Sequence, residues 1–288
     1  EQLDFITVGH FEWNCQSARV IQKTGFCYMG TMPYETHVGT VETNFEYIIF
    51  HPKHEKPLME LPRIGLLCAA EDELAPFLPC MEGKTETTKA GKTFYHGTLD
   101  GVHVTAVFCG VCKVNAACAT QILIDTYGCN NVVNSGTCGG MGENVQVMDT
   151  IVSEEVAHHD VAEGILTDYP PYMKSIWMQA DERMLLAAKA AAEKTEGKVY
   201  FGRSVTGEAF IDGKNRAMIE QTLSPLSVDM ETAAAAQICY MLDVPFIAVR
   251  TVTDVPGKTE DDAYYENCEN ASEVSAHLVR QMIHEMKM

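Results

Sequence analysis

From Arg63 onward, short β-branched runs alternate with helix-like runs, and this alternation constrains the fold more than any other feature of the chain. Strands are read at Ile64–Ala69, Thr93–Leu99, Val102–Phe108, Asn131–Ser135, Thr150–Val156, Lys198–Ser204 and Phe246–Val252. Between them lie an acidic helix start at Glu71–Glu73 running through Leu74 and Leu78, and an apolar run ending at Gly128. Further helices are read at Asp181–Glu196, in an alanine-rich run after Glu231, and from about Asn270 to the end. Alternation of this kind argues for an α/β domain with a mainly parallel sheet covered on both faces. Asp100-Gly101 marks a hairpin, GTCGGM a glycine-rich loop, and Pro256–Asp262 a mobile acidic loop.

The first sixty residues read differently. Leu3–Phe11 alternates as a strand, Asn14 offers an N-cap for a helix over Gln16–Thr24, and Gly25 stops it. Strand-like runs follow at Phe26–Tyr34 and Thr43–Phe50, and the polar, proline-bearing residues 53–62 read as a linker. This strand–helix–strand–strand pattern, with its phrase WNCQSARVIQKTGF, resembles the C-terminal half of GNAT-type N-acetyltransferases over residues 1–52. The resemblance implies a partial α+β appendage, a truncated acetyltransferase fused ahead of the main domain. The half that carries that family's pyrophosphate loop has no counterpart in the sequence, so no acetyltransferase activity and no cofactor are expected.

Forty acidic against 21 basic residues give a formal charge of −19, which disfavours nucleic acid and anionic membranes as partners. No apolar run approaches the ~20 residues of a membrane span, and no signal segment opens the chain. The sequence starts at Glu1, and a cytoplasmic protein truncated at its start is expected. Eleven irregularly spaced cysteines, several within apolar patterns (Cys68, Cys118, Cys239), read as buried reduced thiols. FCGVCK has the form of a redox CxxC, but no second pair completes a zinc site and no thioredoxin-length domain surrounds it. His158, His159 and Asp160 could ligate a metal, yet neighbours on a strand point to opposite faces. No metal is expected.

The stretch from Ser227 to Asp254 concentrates the remaining chemistry. Asp229 and Glu231 precede the alanine-rich helix, and Asp254 ends the last strand, where open α/β sheets build their sites. A helix cap and a turn acid are the plain alternative. With Glu73 at another helix entrance and Phe210 in GEAFI, the three separated acids Glu73, Glu231 and Asp254 and an aromatic face suit cleavage of an N-glycosidic bond. One acid would protonate the leaving base, one would activate water, and one would hold the ribose hydroxyls.

From Arg63 to the C-terminus the chain resembles the 5′-methylthioadenosine/S-adenosylhomocysteine nucleosidases, through IGLLCAAEDEL, VFCGVCKVNAACA, VVNSGTCGGM, VTGEAFI, SVDMETAAAA and AVRTVTD in order. The resemblance implies a nucleoside phosphorylase/hydrolase-like three-layer αβα sandwich around a mixed, mainly parallel sheet. It implies Glu73 as the group that activates water and Asp254, beside Thr253, as the donor toward adenine N7. Glu231 would bind the ribose hydroxyls with Met230 near the sugar. Phe210 would stack on adenine, Ile211 would read its edge, and Thr137, Cys138 and Gly139 would line sugar and base. Tyr264 would close the pocket. A homodimer without cofactor is implied, with an ionised Glu73 and a protonated Asp254 giving a bell-shaped pH profile.

Three positions depart from the family pattern. Cys112 stands where Gly is usual, Ala70 near the ribose where Met is common, and Asp229 where Glu is frequent. The segment Asp160–Trp177 aligns poorly and its contacts are unassigned. The acidic EDE after the first strand repels phosphate and disfavours the alternative of a purine nucleoside phosphorylase, while Arg250, on the last strand, reads as structural or charge-pairing. A non-catalytic nucleoside-binding module is the second alternative.

Overall fold

In the computed structural model, residues 5–23, 26–50, 62–211, 213–255 and 260–287 are described. The chain separates into two compact units, 1–61 and 62–288. In the first, β1 (Phe5–Phe11), α1 (Cys15–Lys23), β2 (Cys27–Glu35) and β3 (Val41–Phe50) follow in the expected order. The three strands form an antiparallel sheet with β3 in the middle. Asn14 Oδ1 accepts from Ser17 N at 3.1 Å, the bond that a helix N-cap makes. Residues 51–61, which hold most of the expected linker, lie outside the described residues, as does Gly25.

The second unit contains β4 (Arg63–Cys68), α2 (Glu71–Leu74), a 3₁₀ turn (Leu78–Cys80), β5 (Glu82–Lys89), β6 (Lys92–Leu99), β7 (Val102–Phe108) and α3 (Lys113–Asp125). Then come β8 (Asn131–Gly140), β9 (Thr150–His158), β10 (Met178–Gln179), α4 (Glu182–Ala192), β11 (Val199–Thr206) and α5 (Gly213–Leu223). The unit closes with β12 (Ser227–Asp229), α6 (Thr232–Met241), β13 (Phe246–Asp254) and α7 (Glu260–Glu285). The sheet runs β10-β9-β11-β12-β8-β4-β7-β6-β5, with β13 pairing both β8 and β9. Strands β8, β13, β9, β11 and β12 therefore close on themselves, and β4 to β7 extend from that ring as an open sheet.

The sheet is mixed. Pairs β4–β7, β4–β8, β8–β13, β9–β11 and β11–β12 are parallel. The hairpins through β5, β6 and β7 and the closing pairs β8–β12 and β9–β13 are antiparallel. Alternate residues of β4 feed two cores: Ile64, Leu66 and Cys68 pack with Met184, Leu278 and Met282 from α4 and α7. Leu67 packs with Ala119 and Leu123 of α3 and Ala235 of α6. Two apolar faces on one strand require helices on both sides, and the three layers follow.

Several expectations change. GTCGGM is not a loop: β8 runs through Gly140, because its glycines let buried side chains approach the backbone from neighbouring elements. Helix α7 begins at Glu260, not near Asn270, so its polar first turns continue a helix rather than forming a loop. Residues 256–259 lie outside the described residues. The acidic helix at Glu71 stops after Leu74, interrupted by Pro76, and Leu78 belongs to the 3₁₀ turn. Strand β5, polar throughout, and helix α5 had no apolar period to reveal them. Among the described cysteines all are free, and Cys118 is exposed rather than buried because α3 turns it away from the sheet.

Candidate active site

Glu73 is 2% exposed although it is an acid, and donors from two elements account for that. Its Oε2 folds back onto the amides of Ala69 (2.6 Å) and Ala70 (3.3 Å) at the entrance of α2, satisfying helix-start donors. Its Oε1 accepts from Thr137 N at 2.7 Å and Thr137 Oγ1 at 2.9 Å on β8. Any side chain at Gly136 would fall on the Glu73 carboxylate, so glycine is required there by close approach.

Asp229 and Glu231 flank the start of α6. Asp229 accepts from the amides of Glu231 (3.2 Å) and Thr232 (3.0 Å), from Thr206 Oγ1 (2.6 Å) and from the Thr232 hydroxyl. It braces the start of α6 from two residues ahead of the N-cap position, which Glu231 occupies without a side-chain capping bond. Glu231 accepts from Cys112 N at 2.8 Å and from Arg250 Nη2 at 3.2 Å. Cys112 makes that bond with φ +80° and ψ 162°, a backbone region that suits glycine.

Arg250 joins these acids. Only 3% exposed, its guanidinium reaches Asn134 Oδ1 (2.9 Å), Thr137 O (2.7 Å), Asp229 Oδ2 (3.2 Å) and Glu231 Oε2 (3.2 Å), with Glu73 Oε1 at 3.8 Å. Three carboxylates around one buried cation leave excess negative charge. Burial, with repulsion from Asp229 and Glu73, pushes the Glu231 carboxyl up to about 7 against the pull of Arg250. The same carboxylates hold the guanidinium far above its ordinary range despite its burial.

Asp254 ends β13. The pairing of β13 with β8 slips between Val252 and Asp254, a bulge that re-aims the last residue. Thr253 Oγ1 donates to Asp254 Oδ1 at 2.8 Å and lies 3.2 Å from Cys138 O. Asp254 Oδ2 lies 3.2 Å from where a Cβ on Gly139 would sit.

One cavity of about 340 Å³ is lined by Glu73, Glu231 and Asp254 together. Ala70, Thr137, Cys138, Gly139, Phe210, Ile211, Met230 and Thr253 line it too. Phe210, 60% exposed, stands at its mouth, whereas Ile211 is buried against Met141, Val205 and Ile219. The side chain of Tyr264 lies outside the described residues, and its neighbour Tyr265 lines the cavity.

Arg216 is a lining residue the sequence reading missed. It is buried on α5, beside Glu220, and its Nη2 donates to Gly140 O. Only a polar residue at an apolar period could have signalled it, and α5 offered no clear period. Among the described residues no group of His, Cys, Asp and Glu is arranged to hold a metal ion. His158 bonds Gln237 Oε1 at 3.0 Å, and Asp160 pairs with Lys113 at 2.7 Å. Cys109 of the CxxC phrase is buried, which pushes its thiol up to about 12 and away from redox reactivity.

The phosphorylase superfamily model matches residues 63–284. A 5′-methylthioadenosine/S-adenosylhomocysteine nucleosidase of Anoxybacillus flavithermus is 36% identical over 229 residues, covering 77% of this chain and 98% of the relative. The structure of the nucleosidase of that name from Colwellia psychrerythraea 34H, in complex with adenine, superposes with a TM-score of 0.74 at 32% identity. It covers 79% of this chain and 96% of that one. The Neisseria meningitidis nucleosidase in complex with methylthio-immucillin-A gives 0.73 at 29% identity, over 77% and 99%.

Proposed function

The chain belongs to the phosphorylase superfamily and, within it, to the 5′-methylthioadenosine/S-adenosylhomocysteine nucleosidases, and from that premise we propose how its cavity divides the work. The protein hydrolyses the N-glycosidic bond of 5′-methylthioadenosine and S-adenosylhomocysteine, releasing adenine and the 5-thio-substituted ribose. One observation carries the proposed roles. Glu73 is bonded to Thr137 and Asp254 lies against Gly139, two positions apart on β8. Such positions are separated by about 7 Å and face the same way. That span admits an anomeric carbon between an acid on the base side and a base on the water side.

In this reading Glu73 takes a proton from water, and Thr137 fixes the carboxylate that does so. Asp254 delivers a proton to N7 of the departing adenine while Thr253 holds its other oxygen. Glu231 accepts the ribose hydroxyls, backed by Arg250 and the Cys112 amide. Phe210 stacks on adenine, Ile211 reads its edge, and Met230 and Ala70 sit by the sugar. Thr137, Cys138 and Gly139 form the floor, and Tyr264 helps to close the pocket. Charge developing on the ribosyl ring in the transition state is offset by the surplus of carboxylates.

Phosphorolysis is the second reading within the fold. It needs unsatisfied cations around phosphate, and Arg250 is committed to Asp229 and Glu231. Adenine release from methylthioadenosine is expected to be independent of added phosphate. A rate that rises with phosphate would replace the hydrolase by a phosphorylase, and no release at all would leave a binding module.

We also propose a cytoplasmic homodimer, on the resemblance stated above; a monomer by sedimentation at assay concentration would refute the dimer. Residues 1–52 are proposed to be a GNAT-like segment followed by a linker over 53–62, supported by the β1-α1-β2-β3 order and the Asn14 cap. No acetyl-CoA turnover is expected from it, and measurable turnover would sink that view.

A further inference from the structure

Asp160 lies just beyond β9, at the start of the segment to which the sequence assigned no contacts. Both its oxygens accept from Lys113 Nζ, at 2.7 and 2.9 Å, and Oδ2 also accepts from Glu208 N at 3.0 Å. One partner opens α3 and the other lies in the loop after β11, and residues beside each, Val111 and Ala209 to Ile211, line the cavity. Lys113 follows Cys112, whose amide holds Glu231. Glu208 opens the loop that carries Phe210 and Ile211 into the lining.

Neighbouring contacts reinforce the junction. His159 N donates to Thr206 O at 3.0 Å, and its ring lies where a Cβ on Gly207 would sit. An exposed ion pair contributes little, but here the two side chains are 18% and 29% exposed, and one carboxylate joins three chain segments. In that loop Ile211 is buried against Met141, Val205 and Ile219, whereas Phe210 is 60% exposed.

We propose that Asp160 is a positioning residue for substrate binding: it clasps the loop that orients the sugar carboxylate to the loop that faces the base. The distance between the two subsites is thereby set to the length of one nucleoside. This inference rests on the reading of Phe210 and Ile211 as base contacts. It concerns binding rather than bond breaking, because Glu73 and Asp254 are held by β8 and Thr253 and not by the clasp.

The test compares Asp160→Ala, Lys113→Met, the double variant and Phe210→Ala in the full chain. The readouts are KM and kcat for methylthioadenosine and the dissociation constant of adenine. Asp160→Ala is expected to raise KM and the adenine constant about tenfold each, with kcat within about threefold of the parent. The double variant should be no worse than Asp160→Ala alone, since both changes break one contact. KM and adenine binding within about twofold of the parent, a fall in kcat at unchanged KM, or additive losses would each overturn the proposal. If Asp160→Ala does not fold, Asp160→Asn keeps an acceptor for Glu208 N and removes the charge facing Lys113; about a threefold rise is expected, and unchanged values overturn it. Phe210→Ala tests the underlying reading separately: unaltered adenine affinity there would remove the base contact whatever Asp160 does.

Discussion

Glu231 sits among two further carboxylates and one guanidinium, and its proton links binding to stability. Its carboxyl titrates near 7 in the folded protein against an ordinary 4.5. For an acid raised by folding, the stabilising contribution is complete below the unfolded value and is lost as pH climbs through about 7. Under the proposed role of Glu231, binding has the opposite sign, because ribose hydroxyls would donate to the ionised form. KM for methylthioadenosine is therefore expected to fall as pH rises from about 6 to 8, while this group's share of stability declines. Glu231→Gln should flatten both trends at a much higher KM; a pH-dependent KM that survives the substitution would assign the titration elsewhere. Glu73→Gln and Asp254→Asn should each lower kcat by about 10²–10⁴ if they carry the proton transfers. Near-native turnover in either variant would remove its role. Cys112 is a different kind of residue, strained where glycine would not be. Relief of that strain, on the order of 1–3 kcal/mol, exceeds the added entropy cost of a glycine, about 0.5–1 kcal/mol. Cys112→Gly should accordingly raise the denaturation midpoint in urea while its amide still serves Glu231, and a lower midpoint would count against the strain.

At the scale of elements, the start of α6 does three jobs through Asp229: it accepts the first amide of the helix, anchors Thr206 of β11 and pairs with Arg250 of β13. Asp229→Ala is expected to cost on the order of 2 kcal/mol, the upper range for a lost cap. The larger penalty of an orphaned buried charge should not appear, because Arg250 keeps Glu231. Urea denaturation measures this, and a loss below about 0.5 kcal/mol would show that the brace is dispensable. The elements around the site were legible where burial imposes a period: β4, β7, β9 and β13 carry β-branched apolar runs on both faces. They were not legible where polarity is uniform, as in β5, or where a helix opens on polar turns, as in α7. Glycine misled in β8, because there it answers side chains packing onto the strand rather than a turn.

For the whole molecule, the described residues lining the cavity run from Ala69 to Tyr265, within the second unit. Removing residues 1–61 is therefore expected to leave kcat/KM for methylthioadenosine within about threefold of the full chain. A larger loss in a folded, truncated protein would mean that the first unit contributes to the site. The sequence by itself determined the α/β class and the helix–strand alternation, and it singled out Glu73, Glu231 and Asp254 as candidates, because local periodicity and separated motifs are written in one dimension. It also read Arg250 as a structural or charge-pairing residue on the last strand. Only the tertiary structure decided that Arg250 lies among Asp229, Glu231 and Glu73. The closure of five strands into a ring, the bulge that turns Asp254, and the approach of Glu73 to Gly136 were likewise decided there. These arise from contacts between residues tens to hundreds of positions apart, whose geometry follows from strand register and packing rather than from any local pattern.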